Sequence, residues 1–589
     1  MSSPENLEQM RHTLSHIMAA AVKDLYGTTT TIKFGIGPAV ENGFYYDIDF
    51  GAMKVEEERL PEIEAKMREM IAEKLPITPD EKTREEALAW AKVEKQNYKR
   101  ELIEELPEGE HISFYTLGDF TDLCRGPHEP DTSSVGAFKL MRVSGAYWKG
   151  DEKREQMTRL FGVAFETQQE LDDYLHMLEE AKKRDHRKLG RELDLFCFSE
   201  LVGSGLPMFT PRGTMLREKL SDYSLSLRGA AGFSKVWTPH ITKMDLYKKS
   251  GHYDKFGEEL LCVHSRVTGE DFAMKPMNCP HHAQIYASSP RTYREMPVRY
   301  MEATTDYRDE KTGELGGLSR VRALTQDDSH VFCRQSQIKD ETGQLVKIIK
   351  ELYGTMGMSR LRARLSYRDE SDAYLGDRKL WEMAQAQIKT IAEENGVEYF
   401  EAEGEAAFYG PKLDFMASDA IGREHQVATV QLDFVQPERF ELAFINEKGE
   451  KERPVMIHHA TLGSIERFLA VFIEHTGGWL PFWCAPEQVR VLTINDTVSD
   501  YVGKIVEVLA GVVLVKPVRH NELRYSVDAR NESLGKKIRE ASALKVPVIL
   551  IVGPKDVAAS EVSVRLRDEE RKVGLADLAG MLEGLSLGG

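Results

Sequence analysis

Between about residues 190 and 480, aromatic and β-branched runs recur without regular helices between them: SKVWTPHI at 234–241, VRYMEATTDYR at 298–308 and REHQVATVQLDF at 423–434. Parallel neighbours need a long crossover, usually a helix, so such a series favours a largely antiparallel sheet. The pattern changes on both sides. Residues 166–190, ETQQELDDYLHMLEEAKKRDHRKLG, are highly charged at helical period and end in a basic cluster, which predicts a connecting helix. Near 480, GGWLPFWCAPEQ is dense in Pro, Gly and Trp and reads as a linker. Beyond it the apolar runs VRVLTI, GVVLVKPV, VPVILIVG and VSVRLR alternate with helical segments, as in a compact α/β domain of about 100 residues. A multidomain α+β protein is expected, with domains at 1–185, 186–483 and 484–589.

Composition points to a compartment rather than a chemistry. In 589 residues there are six cysteines, too few for a disulfide framework, which predicts a reducing cytoplasm. No apolar run approaches the ~18 residues of a membrane span, and no signal-peptide pattern opens the chain, so no membrane partner is expected. A net charge of −18 argues against sequence-blind binding of nucleic acid over the whole surface. It leaves room for a local basic surface that recognises one shaped RNA.

Leu7, Met10, Leu14, Ile17, Ala21 and Leu25 fall on one stripe of a helix over residues 5–26. His12 and His16, in RHTLSH, fall together on nearly the opposite side. The spacing is that of H-E-x-x-H, but Thr13 stands where that pattern has its catalytic glutamate. Taken alone, the pair is a metal site, a metal-free active site or a solvated helix face. The last is favoured until partners are found. Two clusters rich in glycine and aromatics follow, CRGPHEPDT at 124–132 and SGAYWKGD at 144–151.

In YRDEKTGELGGLSRVRALTQDDSHVFC, 307–333, Arg308 and Glu310 alternate with Tyr307 and Asp309 and would share one face of a strand. A glycine-bearing loop returns to Arg320 and Arg322. A guanidinium fork suits phosphate or carboxylate, but on spacing alone an ordinary charged surface hairpin is favoured. In PVMIHHATLGSIERFLAVFIEH, 454–475, a strand ends at glycine and the next helix presents Arg467 near its start, where an anion is favoured. Together these segments resemble motifs 2 and 3 of class II aminoacyl-tRNA synthetases, and the segment ending at Pro239 resembles motif 1, the dimerisation motif. Within that class, MKPMNCP (274–280), TQDDSHVFC (325–333), FYGPKLDF (408–415), VQLDF (430–434) and PVMIHHATLGSIERF (454–468) resemble the threonyl-tRNA synthetase family. The resemblance runs along essentially the whole chain.

It implies a class II antiparallel sheet core flanked by helices, an N-terminal α+β editing domain and a C-terminal α/β anticodon-binding domain. It also implies a homodimer formed through the catalytic domain, acting on ATP, L-threonine and the tRNA specific for threonine. The family's opening ubiquitin-like domain is expected to be absent, since the editing helix begins at once. By motif match, Cys279, His330 and His458 bind one Zn2+ per chain, while His281, His282, Cys333 and His459 are not ligands. Spacings of 51 and 128 residues would not have suggested that site. One Cys and two His leave an open position that suits a substrate-binding metal. Threonine would offer it both amine and hydroxyl, valine no hydroxyl. Serine lacks only a methyl, a difference of just ~1–3 kcal/mol, so its errors need correction. Arg308 is expected at the α-phosphate, Glu310 at the adenine edge, and Arg320 and Arg467 at the other phosphates with Mg2+. Asp328 would pair with the substrate ammonium, and Met277, Tyr409, Gln426, Thr429 and Gln431 would line the threonine pocket. His281 stands where the family more often has glycine, adding bulk beside Cys279.

HTLSH and CRGPH match the editing pattern of the family, which implicates His12, His16, Cys124 and His128, with Lys99 and Asp122 assisting, in hydrolysis of mischarged Ser-tRNA. Whether metal or water alone sits among them stays open. DARNESLGKKIRE (528–540), GPKDV (553–557) and VSVRLR (562–567) match the anticodon-binding domain, where Asn531, Arg539, Asp556 and Arg565 would read bases. A catalytically silent RNA-binding paralogue is disfavoured by the retained Arg308, Arg320 and Arg467. A stand-alone hydrolase is disfavoured by the intact central motifs, and a metalloprotease by Thr13.

Overall fold

The computed structural model describes residues 4–514 and 522–587. Two compact units divide the chain, Met1–Glu179 and Glu180–Gly589.

In the first unit, helix α1 (Pro4–Tyr26) packs against α2 (Leu60–Ala72) and strand β1 (Gly43–Asp49). Every residue from Thr13 to Val22 is buried, and His16 is only 2% exposed, so it does not lie on a solvated face. Leu14, Ile17, Phe44, Ile63 and Leu160 form the core beneath it. Strands β2 (Ile77–Lys82), β3 (Ile112–Leu117) and β4 (Phe120–Leu123) make an antiparallel sheet. Gly118, at φ +57, supplies the left-handed step of the tight turn between β3 and β4. Helix α3 (Asn97–Glu105) buries Tyr98, Lys99 and Ile103. Strands β5 (Ala137–Tyr147) and β6 (Gln156–Phe165) form a second antiparallel sheet with β1, in the order β1–β6–β5.

The connecting helix expected over 166–190 is interrupted. Helix α4 (Gln168–Arg184) stops before Asp185, whose carboxylate accepts the Arg187 amide at 2.8 Å and caps a second helix, α5 (His186–Glu192). An aspartate that bonds its own downstream backbone competes with continued helix.

In the second unit α6 (Pro211–Ala230) precedes strand β7 (Ser234–Lys235), and α7 (Cys279–Ala287) precedes β8 (Val298–Tyr307) and β9 (Ala323–Cys333). After α8 (Ile338–Thr355) come β10 (Leu361–Tyr367), β11 (Glu398–Glu403), β12 (Lys412–Ser418), β13 (Glu424–Asp433), β14 (Val455–Ser464) and helix α9 (Ile465–Thr476). The eight strands form one sheet in the order β7–β8–β9–β14–β13–β12–β10–β11. Its five interior pairings are antiparallel and only the two edge pairings are parallel. Helices α8 and α9 both pack on β14, where Val455–Leu462 are all buried.

Strand β8 ends at Tyr307, so Arg308 and Glu310 do not share a strand face as expected. They lie in the loop just beyond it, because the backbone is diverted: Asp309 donates to the Glu259 carbonyl at 2.9 Å and Arg322 grips the Glu310 carbonyl at 2.8 Å.

The C-terminal part of this unit places β15 (Val489–Thr493), β16 (Tyr525–Asp528), β17 (Val548–Val552), β18 (Glu561–Arg565) and β19 (Glu570–Gly574) in the order β16–β15–β17–β18–β19. The apolar runs at β15, β17 and β18 were legible; the edge strands YSVD and ERKVG carry no apolar run. The expected strand GVVLVKPV lies largely outside the described residues. Helices α10 (Ser499–Gly511), α11 (Leu534–Ala543), α12 (Pro554–Ala559) and α13 (Leu578–Leu587) accompany this sheet. Among the described residues no helix is long and apolar enough to cross a membrane, and all six cysteines are free thiols.

Candidate functional site

In the first unit, His12 on α1 and the segment after β4 meet at Cys124. The Cys124 thiol lies 3.1 Å from His12 Nε2 and 3.1 Å from His128 Nε2. His16 stands behind them, its ring 5.0 Å from those of Phe120 and His128, and its Nε2 has no hydrogen-bond partner. Thr13, the residue that spoils the protease pattern, anchors this segment: its hydroxyl accepts the Glu129 amide at 2.8 Å and lies 3.4 Å from His128 Nδ1. Gly126 is required in CRGPH. Its φ is +64, and a Cβ there would lie 2.1 Å from the hydroxyl of Tyr115, whose ring abuts His128.

Lys99, buried on α3, meets the Asp122 carboxylate at 2.9 Å and donates to the Tyr46 hydroxyl at 2.9 Å. Tyr46 donates in turn to Asp122. Nothing local in GFYYDIDF marks Tyr46, which is one of several alternating strand residues. Burial pushes the His16 imidazole down to about 4, and burial with the neighbouring imidazoles pushes His128 to about 2. Burial lowers His12 as well and raises the Cys124 thiol to about 11. At neutral pH the site therefore holds neutral imidazoles, able to accept protons, and a protonated thiol that is a poor nucleophile. His12, His16, Tyr46, Lys99, Asp122 and Cys124 border a cavity of about 570 Å³.

The second unit brings Cys279, His330 and His458 together, with one ligand atom from each inside a 4.8 Å cluster. Register explains the long sequence spacing: His330 on β9 and His458 on β14 are directly opposed partners, and Gln431 on β13 faces His458 from the other side. His330 Nε2 and His458 Nδ1 lie 3.0 Å apart. His458 Nε2 is held by Asp433 at 2.8 Å, which fixes the tautomer that leaves Nδ1 facing inward. This donor set, with a carboxylate behind one imidazole, fits a tetrahedral metal with an open position. His282, Asp328 and His330 form an overlapping cluster. There, however, His282 meets the outward Nδ1 of His330, and its own Nε2 is engaged by Asn278 at 2.9 Å. His459 bonds Ser329 at 2.8 Å. His281 is buried with neither ring nitrogen bonded, and it joins neither cluster. Asp433 escaped sequence reading because only the folded sheet sets it behind His458.

Around this centre Tyr409 stacks on His458 at 4.7 Å and donates to Gln431 at 2.7 Å. Gln431 donates to Thr429 at 3.2 Å, and Thr429 to Asp414 at 3.0 Å. Burial and the neighbouring Asp306 push the Asp328 carboxyl well above the usual range. Thr429 and Gln426 also border a cavity of about 750 Å³ lined by Arg308, Glu310, Arg320 and Arg467. Arg320 pairs with Glu310 at 2.7 Å, and Arg308 lies over the Phe256 ring at 5.2 Å with its guanidinium 3.2 Å from Met277 sulfur. Three arginines, two from the β8–β9 loop and one from α9, around one cavity suit a polyanion.

Of the base-reading candidates, Asn531 and Arg539 are exposed. Asp556 is buried and occupied, accepting the Gly553 amide and the Ser563 hydroxyl at 2.9 Å each. Arg565 pairs with Glu570 at 3.1 Å.

Three family models match: the threonyl and alanyl tRNA synthetase second additional domain at residues 112–161, the tRNA synthetase class II core domain (G, H, P, S and T) at 262–476, and an anticodon binding domain at 488–585. A threonine–tRNA ligase of Parabacteroides distasonis is 46% identical over 578 residues, covering 97% of this chain and 87% of that protein. One from Thermus thermophilus is 46% identical over 594 aligned positions, covering 99% and 88%. Among solved structures, the RNA binding domain of threonyl-tRNA synthetase from Cryptosporidium parvum Iowa II is 34% identical with a TM-score of 0.63, covering 68% of this chain and 98% of that one.

Proposed function

The chain belongs to the threonyl-tRNA synthetase family, and on that premise we propose how its two cavities divide the work. It attaches threonine to tRNA and edits mischarged product. Charging belongs to the second unit. ATP occupies the arginine-lined cavity, with Arg308, Arg320 and Arg467 on its phosphates and Glu310 at the adenine edge. Mg2+ accompanies the nucleotide. The observation that carries this reading is continuity: Thr429 borders the arginine cavity and connects through Gln431 and Tyr409 to the Cys279–His330–His458 centre. Cys279, His330 and His458 would hold one Zn2+, which when bound supplies a Lewis-acidic position for a substrate bearing both amine and hydroxyl.

Asp328 receives the threonine ammonium, and Met277, Tyr409, Gln426 and Gln431 close around the side chain. With amino acid and nucleotide so placed, the threonine carboxylate attacks the α-phosphorus in line and pyrophosphate leaves. No protein nucleophile is needed; the residues supply position and positive charge. The acyl group then passes to the terminal ribose of tRNA.

Editing belongs to the first unit. Neutral His12, His16 and His128 orient a water toward the seryl ester, with Lys99, Asp122 and Tyr46 as a fixed polar wall. Asn531, Arg539 and Arg565 contribute to anticodon recognition, while Asp556, buried and occupied, instead holds the Gly553 turn. The enzyme works in the cytoplasm as a homodimer formed through the catalytic sheet.

Threonine-dependent exchange of pyrophosphate into ATP tests the central assignment. Exchange driven by threonine well above that with valine or serine is expected; no exchange, or a better response to another amino acid, overturns it.

A further inference from the structure

The β8–β9 loop carries Glu310 and Arg320 yet belongs to no sheet, so something else must hold it over the cavity. Its base is tied by the Arg322 amide, which donates to the Gly205 carbonyl at 2.8 Å. Its tip, Gly316–Ser319, makes one hydrogen bond to another element among the described residues: the Leu318 amide donates to His186 Nε2 at 3.1 Å. The other ring nitrogen, Nδ1, lies 2.7 Å from a Glu474 carboxylate oxygen that also accepts the His186 amide at 3.1 Å. Glu474 is on α9, the helix whose first turn carries Arg467. Its second oxygen takes Arg423 at 2.6 Å, and Arg423 is braced by Asp419 at 2.7 Å.

Both ring nitrogens of a buried imidazole are thus committed, one as donor to Glu474 and one as acceptor from the loop. Glu474 thereby selects the Nδ1–H tautomer that can accept from Leu318. The contact is also intimate. Gly317 has φ +60, and a Cβ there would lie 2.4 Å from His186 Nε2, so only glycine lets the loop backbone reach the ring.

We propose that His186 is a positioning residue for adenylate formation. It clamps the loop bearing Arg320 to the helix bearing Arg467 and so fixes how the two arginines straddle the nucleotide. This rests on the reading of the arginine-lined cavity as the ATP site.

The full-length enzyme is assayed by pyrophosphate exchange with His186→Asn, His186→Gln and Gly317→Ala. Asparagine keeps an amide donor near Glu474 but offers no acceptor to Leu318; glutamine reaches toward Leu318. His186→Asn is expected to raise KM for ATP roughly tenfold, leave KM for threonine within about twofold, and preserve Tm. His186→Gln should recover part of the loss. Gly317→Ala should reproduce the ATP defect, and the double variant Gly317→Ala/His186→Asn should be no worse than either single change, because both remove one contact. A parallel rise in KM for ATP and threonine with a fallen Tm overturns the clamp, as do multiplying defects in the double variant. Wild-type exchange with an unaltered KM for ATP in His186→Asn overturns the clamp alone. Absence of threonine-dependent exchange in the wild type overturns the ATP-site reading and the clamp together.

Discussion

His16 shows how position outweighs residue type. Its imidazole, enclosed by α1, Phe120 and His128, is held at about 4 by burial, whereas an unfolded histidine titrates near 6.5. Below pH 6.5 the unfolded chain therefore binds a proton that the folded one refuses. Stability is full above that pH and falls as pH drops toward 4, by about 3 kcal/mol in all for this one group. His128, depressed in the same direction, steepens the loss. Denaturant unfolding followed at pH 7, 6 and 5 should show this decline in the first unit, and His16→Gln should flatten it. An unchanged slope in that variant would remove His16 as the cause. The sequence showed His12 and His16 to be neighbours on a helix, but not their charge state. That depends on how many sides of α1 are covered: α2 and β1 pack on the apolar stripe, and Phe120 and His128 close over His16 on the other side.

Among the elements, the segment after β4 is the one whose shape most governs the His12–Cys124–His128 group. CRGPH was legible as a glycine-bearing cluster, and the structure shows why glycine stands there. Gly126 passes under Tyr115 so that Cys124 and His128 can face His12. Gly126→Ala places a methyl against the Tyr115 hydroxyl and should separate Cys124 from His128. Hydrolysis of Ser-tRNA is expected to fall at least roughly tenfold, with Ser-tRNA accumulating while threonine-dependent exchange stays near wild type. Equal loss of both activities would point to misfolding instead. The interior strands of the C-terminal sheet, β15, β17 and β18, could be read from their apolar runs. The edge strands Tyr525–Asp528 and Glu570–Gly574 could not, because an edge strand needs no buried face and its polar side chains suit solvent.

At the scale of the whole molecule the two candidate sites differ in kind. The Cys279–His330–His458 centre has a carboxylate behind one imidazole and an open side toward Tyr409 and Gln431. The His12–Cys124–His128 group has Thr13 rather than a carboxylate beside His128. Metal analysis of the purified chain should accordingly give about one zinc per chain. Removing it with a chelator should abolish threonine-dependent exchange and spare hydrolysis of Ser-tRNA. Two zinc ions per chain would assign metal to the first unit as well.

What the sequence by itself recorded is local: a central run of strands without regular helices, strand and helix alternation after residue 484, the arginines of two short motifs, and the histidines and cysteines of both candidate sites. These are local facts, set by side-chain period, by glycine and by short motifs. Only the tertiary structure decided which side chains meet. Residues 330 and 458 face each other because β9 and β14 pair in one register, and a shift of one residue would turn the imidazoles to opposite faces. Asp433 behind His458, Tyr46 beside Lys99 and His186 beneath the arginine loop have the same origin. Each is a contact between distant segments, fixed by the packing of whole elements, and no periodicity within either segment records it.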